Sequence, residues 1–205
     1  MDLSKGVLLA TGNKNKVKEI VSILQDISCL KVVSLADKGF KEMNIPETGR
    51  TFKENAYIKA QAYAEKYKMP ALADDSGLEV DYLGGEPGVN SARYAGVNAT
   101  DNDRIAKLLG SMRGVSASQR LADFKCLICL YDPETNETLY SEGVCDGRIS
   151  DSRKGSNGFG YDPIFVVDEY NKTMAELPSN IKNKISHRAK ALEALKEAME
   201  AFCKF

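Results

Sequence analysis

The sequence has very little histidine: it occurs once, as His187, in 205 residues. A metal centre built from several histidines is therefore excluded. The five cysteines are an odd number for a disulfide framework, so we expect a reducing, cytoplasmic environment. Cys126 and Cys129 form a C-x-x-C pair, but zinc would need two further ligands at suitable spacing. Because the pair lies in the strand-like stretch FKCLICLY, two packed core cysteines are the favoured interpretation.

Long apolar runs are also missing, and the formal net charge is only −1. No stretch approaches the roughly 20 apolar residues that a membrane-spanning helix needs. Near the start only Val7–Ala10 is apolar, which is too short for the core of a signal peptide. We expect no membrane partner. We also expect no nucleic-acid partner, because attraction to a polyanion needs a basic surface, although a local pocket for a small anion remains open.

The chain length favours one domain over residues 1–205 and allows it two lobes. Short apolar stretches alternate with helical periodicity in the first part, and two long strands flank the turn sequence DPETNE later. This order predicts a mixed sheet covered by helices. The predicted strands are 5–10, 30–35, 70–73, 122–131, 138–149 and 164–167, and the predicted helices are 13–27, 51–67, 100–112 and 186–202. The third strand is expected to end at Asp74.

The first candidate site is the stretch LLATGNKNKVKE. A strand, a short polar turn and a helix point free backbone N–H groups and the positive end of a helix dipole at an anion. Thr11 and Asn13 add side-chain hydrogen bonds, and Lys14 and Lys16 add charge. The stretch does not match a Walker A loop. An N-capped surface helix with solvated lysines remains the alternative for this segment.

The second candidate is the pair of adjacent acids in ADDSGLEV. Asp74 and Asp75 follow an apolar strand and precede Ser76 and Gly77. Two neighbouring carboxylates suit a divalent cation, and Glu47 in the loop PETGRTF can supply another oxygen. Mg²⁺ takes one or two carboxylates and completes its octahedron with water and phosphate oxygens. The alternative is an ordinary Asp-Ser-Gly turn.

Three other segments each have a functional and a plain interpretation. Lys59 lies four residues after Asn55 on one helix face, where it would contact phosphate or remain solvated. Phe159, between glycines in GSNGFGYDP, would stack on a base or pack in the core. His187 and Arg188 offer donors at a helix start, or are ordinary polar residues there. Together with the anion and metal candidates, these are the parts of a nucleoside triphosphate site.

Five ordered motifs resemble the inosine triphosphate pyrophosphatase family (dITP/XTP pyrophosphatases): LATGNKNKVKEI, ETGRTFKENAYIKA, ADDSGLEVDYLGGEPGVNSARYAG, GFGYDPIF and ISHRAKAL. The resemblance runs from Leu9 to about Leu192. It implies an α/β fold with an elongated, curved mixed sheet flanked by helices, in two lobes with a central cleft, and a homodimer. It also implies Mg²⁺-dependent hydrolysis of ITP, dITP and XTP to the monophosphate and pyrophosphate, which removes deaminated purines from the nucleotide pool.

The resemblance implies a role for each matched residue. The phosphates would be held by Thr11, Gly12, Asn13, Lys14, Asn15, Lys16 and Lys59. The metal would be served by Glu47 and Asp75, with Asp75 also the candidate general base, and the substrate would be contacted by Ser76. The base and sugar would be lined by Phe159, Gly160, Tyr161 and Asp162. The purine edge would be met by Lys182, His187 and Arg188, where Lys182 is preferred over Lys184 for its spacing to His187.

These roles predict a mechanism and a selectivity. Asp75, at a strand end, would bind Mg²⁺ or take a proton from the water that attacks the α-phosphorus. Donors on His187 and Arg188 would favour the 6-oxo group of hypoxanthine and xanthine over the 6-amino group of adenine. Two alternatives remain: a pyrophosphatase for modified pyrimidines or dTTP, and a nucleotide sensor that binds ITP without turnover.

Overall fold

The protein is described by a computed structural model that covers residues 1, 3, 5–25 and 30–200. Its described part holds five α-helices and a seven-stranded mixed sheet with the strand order β2-β1-β3-β4-β5-β6-β7. The strands are β1 (Val7–Leu9), β2 (Val32–Val33), β3 (Ala71–Val80), β4 (Leu121–Tyr131), β5 (Thr138–Ile149), β6 (Phe165–Val167) and β7 (Lys172–Thr173). The helices are α1 (Lys14–Leu24), α2 (Phe52–Tyr67), α3 (Asp101–Ser111), α4 (Ser179–Ile185) and α5 (His187–Glu200). The α/β class predicted from the sequence is confirmed.

The chain divides into two compact units. The first unit comprises Met1–Asp75, Cys126–Gly143 and Arg188–Phe205, and the second comprises Ser76–Lys125 and Val144–His187. Among the helices of the described residues, none combines the length and the apolar character that a membrane crossing requires.

The first unit is built on parallel strands with helices on both faces. β1 pairs with β2 on one side, at Val7↔Val32, and with β3 on the other, at Leu8↔Ala71. Successive side chains of a strand point to opposite faces, so an all-apolar strand needs cover on both. One face carries a core with α1 and α5, comprising Val7, Leu9, Ile20, Leu24, Leu72, Cys126, Ile128, Leu192 and Leu195. The other face carries a core with α2, comprising Leu8, Ala56, Ala60, Tyr63, Ala71, Ala73, Cys129 and Tyr131.

The two cysteines of the C-x-x-C pair follow this alternation. Cys126 packs in the core that contains α1 and α5, and Cys129 packs in the core that contains α2. Both are fully buried, and neither takes part in a disulfide bond among the described residues. Burial raises the pKa of the Cys129 thiol to about 12, which keeps it protonated and unreactive at neutral pH. The prediction of core cysteines is confirmed.

The second unit is built on antiparallel strands. β6 pairs with β5 at Ile149↔Phe165 and with β7 at Val166↔Thr173. Its core takes side chains from β3, β4 and β5 and from the inner face of α3, and includes Leu78, Val80, Ile105, Leu108, Met112, Phe124, Ile149, Phe165 and Val167. A capping box between Thr100 and Asp103 starts α3.

Several predicted boundaries need correction. β3 does not end at Asp74 but continues through Asp75 and Ser76 to Val80. Both acids are buried within the strand, because the basic side chains of Lys16, Lys59 and Arg188 neutralise them. The sequence pattern also missed the short helix α4 and the strand β7. The predicted helix ends at 26–27 and 201–202 lie outside the described residues.

Candidate functional site

Successive side chains of β3 point to opposite faces of the sheet, so the adjacent acids Asp74 and Asp75 contact different partners. Leu72 packs in the core that contains α1 and α5, and Asp74, two residues later, shares that face of the strand. Ala71 and Ala73 pack in the core that contains α2, and Asp75 shares their face. One dipeptide therefore supplies a carboxylate to each helical layer of the first unit.

Asp75 lies in a cluster of groups from α2 and the loop before it. Lys59 Nζ contacts Asp75 Oδ1 at 3.0 Å and Glu47 Oε1 at 2.9 Å, so that one ammonium joins two carboxylates. Asn55 Nδ2 donates to the other oxygen of Asp75, Oδ2, at 3.2 Å. The Oδ1 atom of Asn55 accepts from the backbone N–H of Gly49 at 2.8 Å, which ties the loop that carries Glu47 to α2.

The electrostatics of this cluster favour a proton acceptor at Asp75. Burial raises the pKa of Asp75 above the ordinary value of 3.8, Lys59 lowers it, and Glu47 raises it further, with a net increase. Burial lowers the pKa of Lys59, but the Asp75 and Glu47 carboxylates outweigh this effect and raise the pKa of Lys59 above 10.5. Lys59 is therefore fully charged at neutral pH, and Asp75 is a stronger base than a solvated aspartate.

Asp74 lies in a second cluster, with α1 and α5. Its Oδ2 atom accepts from Lys16 Nζ at 2.9 Å, and from Nη2 and Nε of Arg188 at 2.9 and 3.2 Å. Arg188 Nη1 contacts Glu19 Oε2 at 2.5 Å. Burial raises the pKa of Asp74, but the charges of Lys16 and Arg188 outweigh it and hold the pKa well below 3.8. Burial likewise opposes the charge on Arg188, yet Asp74 and Glu19 raise the pKa of Arg188 above its ordinary value.

The segment from Thr11 to Lys16 has the predicted strand-turn-helix form. Asn13 caps α1, and its Oδ1 accepts from the backbone N–H groups of Asn15 and Lys16. The Gly12 N–H donates to Glu42 Oε1 at 3.1 Å. A carboxylate thus lies against a backbone donor of the segment, which shows that this turn accepts a negatively charged oxygen.

In the second unit, Asp162, Lys182 and Phe159 form a compact group. Asp162 Oδ2 accepts from Lys182 Nζ at 2.6 Å and from the Phe159 N–H at 2.9 Å. Lys182 Nζ lies 4.8 Å from the centre of the Phe159 ring, within range of a cation–π contact. Gly158 has φ +77°, and a Cβ there would meet Asp162 Oδ2 at 1.9 Å, so this position requires glycine.

Two further contacts fix the loop around Phe159. The Gly160 N–H donates to Asp101 Oδ2 at 2.8 Å, and Tyr161 Oη donates to the carbonyl of Ser91 at 2.9 Å. The Tyr161 side chain is buried in the core of the second unit. The buried ring therefore anchors the loop to this core, and the role of Tyr161 in lining the base and sugar stays a prediction.

The remaining predicted residues lie in both units. His187 is buried and stacks on Phe124, with ring centres 4.7 Å apart. Ser76 is half-buried in β3. Three nitrogen atoms of Arg188 contact the carboxylates of Asp74 and Glu19, and its place at the purine edge stays a prediction. Lys182 is buried in the cluster with Asp162, whereas Lys184 is exposed, in line with the choice of Lys182 from spacing.

Sequence reasoning missed four residues of these clusters: Glu19, Glu42, Asn55 and Asp101. The sequence does contain a signal for Asn55, because this polar amide lies one turn before Lys59 on an apolar helix face. The signal for Glu19 is weaker: it lies three residues after Lys16 on α1. Glu42 and Asp101 act through contacts between distant parts of the chain, which no local pattern reveals.

The donor set around Asp75 fits a magnesium ion. No group of three or more His, Cys, Asp or Glu side chains is placed to hold a metal ion within residues 1, 3, 5–25 and 30–200. Mg²⁺ does not require one, because it takes one or two carboxylates and fills its other positions with water and phosphate. Glu47 and Asp75 already share one cation, Lys59, so their oxygens face a common point.

Comparisons with known proteins agree with the five motifs. The Ham1 family matches residues 7–198. A dITP/XTP pyrophosphatase of Bacillus subtilis is 48% identical over 201 residues, covering 98% of this chain and 100% of the relative. One of Vibrio parahaemolyticus is 47% identical, covering 93% and 94%. Among solved structures, a HAM1 protein from Coxiella burnetii has a TM-score of 0.85 at 43% identity and covers 96% of this chain and 98% of its own.

Proposed function

Because the chain belongs to the Ham1 family, we propose that it hydrolyses the non-standard purine triphosphates ITP, dITP and XTP to the monophosphate and pyrophosphate. The relatives that it matches over nearly their whole length are dITP/XTP pyrophosphatases. The structural observation that carries the proposal is the cluster in which Lys59 joins Glu47 and Asp75. It combines a base, a cation and a pair of metal-binding oxygens in one place.

Asp75 is the proposed general base. Its carboxylate takes a proton from the water that attacks the α-phosphorus, and the bond to the bridging oxygen breaks to release pyrophosphate. The raised pKa of Asp75, caused first by burial, makes its carboxylate a stronger proton acceptor than a solvated aspartate. The contacts of Asn55 and Lys59 with its two oxygens hold its orientation.

The phosphates are assigned to the first unit. Lys16 and Lys59 balance the charge of the leaving pyrophosphate. The segment Thr11–Asn15 is proposed to contact the phosphates at the positive end of the α1 dipole, where the Gly12 N–H would exchange the Glu42 carboxylate for a phosphate oxygen. Mg²⁺, held by Glu47 and Asp75, would neutralise phosphate charge and polarise a phosphoryl oxygen when it is bound. Ser76, directly after Asp75, supplies a hydroxyl contact to the substrate.

The base is assigned to residues of the second unit. Phe159 offers an aromatic face, and Lys182 and His187 offer donors that suit the 6-oxo group of hypoxanthine and xanthine. A donor that faces the 6-amino group of adenine is left unpaired, and such a mismatch discriminates by roughly 10⁴-fold or more in buried sites. We also propose that the protein is a homodimer and that it acts in the cytoplasm. The cytoplasmic location is in line with the three cysteines of the described residues, which are buried outside disulfide bonds.

A substrate panel tests the proposal. Pyrophosphate and orthophosphate are measured separately for dITP, XTP, dTTP, dATP and dGTP, with and without Mg²⁺. We expect pyrophosphate from dITP and XTP, only with the metal. Turnover of dTTP would instead establish the pyrimidine alternative. Binding of dITP without release of either product would establish a sensor.

A further inference from the structure

The loop between β5 and β6, which carries Phe159, is tied to the first turn of α3, a segment to which the proposed mechanism gives no role. Asp101 is the first residue of α3, and its Oδ2 atom accepts from the Gly160 N–H at 2.8 Å. Asn102, the next residue, accepts at its Oδ1 atom from Arg153 Nη1 at 2.5 Å. All of these residues belong to the second unit. The start of α3 therefore contacts the loop at two points, one of them directly after Phe159.

We infer that Asp101 is a positioning residue for the purine base: it fixes the peptide that follows Phe159 and thereby holds the Phe159 ring in place for stacking. This inference rests on the proposed function, because it takes Phe159 as the aromatic face on which the base stacks. It adds a residue of α3 to the part of the site that is assigned to the base.

The backbone around Phe159 depends on such contacts because glycines flank it. Gly158 has φ +77° and Gly160 has φ +60°, and glycine loses more conformational entropy on ordering than any other residue. Asp162 holds one side: its Oδ2 accepts from the Phe159 N–H at 2.9 Å, and its own N–H donates to the Phe159 carbonyl at 3.2 Å. Asp162 belongs to the same loop and moves with it. The contact of Gly160 with Asp101 instead ties the loop to a helix.

Arg104 fixes the Asp101 carboxylate in turn. Its Nη2 atom contacts Asp101 Oδ1, the oxygen that does not accept from Gly160. Its Nη1 atom donates to the carbonyls of Ala92 and Ala99 at 2.7 and 2.8 Å. The side chain of Arg104 is 18% exposed, whereas that of Asp101 is 41% exposed. Each oxygen of Asp101 thus has a donor of its own, and the better buried arginine orients the carboxylate toward the loop.

Asp101→Ala tests the inference, with Asp103→Ala as its matched control. Asp103 lies in the same turn of α3, but its carboxylate accepts from the N–H and the hydroxyl of Thr100. Each substitution removes one negative charge from the start of the helix, so both lose a favourable interaction with the helix dipole. Only Asp101→Ala removes the contact with Gly160. An effect that comes from a weaker helix start therefore appears in both variants.

Hydrogen exchange of the Gly160 amide, followed by NMR, measures the contact itself. We expect this amide to exchange about tenfold faster in Asp101→Ala than in the wild type, because the loop opens more readily without its partner on α3. The rate in Asp103→Ala should match that of the wild type. This measurement needs no substrate.

Two probes then separate the halves of the substrate: dIMP carries the base, and inorganic tripolyphosphate has none. Calorimetry measures the Kd of each at one fixed Mg²⁺ concentration. We expect Asp101→Ala to weaken dIMP binding by about fivefold, the effect of one partly exposed contact, and to leave tripolyphosphate binding unchanged. The KM for dITP should rise by the same factor with kcat unchanged, because stacking holds the base equally in the ground state and the transition state. Asp103→Ala should bind both probes as the wild type does.

Three results would overturn the inference. The first is a Gly160 amide that exchanges in Asp101→Ala as it does in the wild type. The second is unchanged dIMP binding in Asp101→Ala, or equal weakening in Asp103→Ala. The third is a loss of tripolyphosphate binding as large as the loss of dIMP binding. The proposed function fails separately, if the wild type releases no pyrophosphate from dITP or XTP. In that case the amide exchange and the Kd for dIMP still decide the role of Asp101.

Discussion

Asn55 and Lys59 each contact a different oxygen of the Asp75 carboxylate. Asn55 Nδ2 lies 3.2 Å from Asp75 Oδ2, and Lys59 Nζ lies 3.0 Å from Asp75 Oδ1. The two donors are one turn apart on α2, so the helix sets their spacing, and Asp75 is fixed by a rigid element. Lys59 also reaches Glu47, which joins the base to the second acid of the cluster.

Replacing Asp75 by Asn removes the proposed base while keeping the shape of the side chain. We expect kcat for dITP to fall by about 10²- to 10⁴-fold, the usual contribution of general base catalysis. The fold should persist, as measured by circular dichroism. Asp146→Asn, at an exposed position of β5, is the control and should leave kcat unchanged. A near-normal kcat in Asp75→Asn would remove this residue from the mechanism.

Replacing Lys59 by Met should strengthen the binding of Mg²⁺ in the absence of substrate. Lys59 neutralises Glu47 and Asp75, so it competes with a metal ion for their oxygens. We expect the Kd for Mg²⁺, measured by calorimetry, to fall by about tenfold, while turnover falls because a phosphate contact is lost. Lys66→Met, at an exposed position of the same helix, should change neither. A weaker affinity for Mg²⁺ in Lys59→Met would show that the two carboxylates do not bind the metal together.

Replacing Asp74 by Asn should destabilise the protein in a pH-dependent way. The folded pKa of Asp74 lies well below 3.8, so the ionised carboxylate stabilises the folded state above its unfolded pKa, and this contribution is lost as pH falls toward the folded pKa. Urea unfolding at pH 7 should show a loss of about 3 kcal/mol, since one partner leaves a buried ion pair. The difference from wild type should be constant down to the ordinary aspartate pKa and shrink below it. A difference that grows toward acid pH would contradict the assignment.

Replacing Glu42 by Gln should lower the KM for dITP. The Glu42 carboxylate accepts from the Gly12 N–H, where the phosphates are proposed to bind, so it competes with them and repels them. The contact is exposed, so we expect a change of about threefold, with kcat unchanged. Initial-rate kinetics on the variant and on Glu65→Gln check this. A raised KM would show that Glu42 supports the segment.

Local patterns predicted most of the first unit. The apolar strand β1, the polar turn and the helix α1 follow each other as expected, and Thr51 caps α2 as its side chain accepts from the Glu54 N–H. These features depend on neighbouring residues, which the sequence displays directly. The same reason explains why Cys126 and Cys129 were recognised as core residues.

The failures come from contacts between distant parts of the chain. The sequence predicts that β3 ends at Asp74 because two adjacent acids are rarely buried together. In the structure, Lys16, Lys59 and Arg188, which belong to three different helices, neutralise both acids. The spacing of residues along the sequence does not predict which basic side chain contacts which acid. The carboxylate partners of Arg188 were missed for the same reason, since Asp74 and Glu19 lie more than a hundred residues away in the sequence, whereas the place of Arg188 at the purine edge stays a prediction.

Hydrolysis of dITP in ¹⁸O-labelled water tests the central claim most directly. If Asp75 activates a water that attacks the α-phosphorus, the label appears in dIMP and the released pyrophosphate stays unlabelled, as mass spectrometry of the products would show. Label in the pyrophosphate would mean that water attacks the β-phosphorus. That result would contradict the arrangement of base, cations and metal proposed for the first unit.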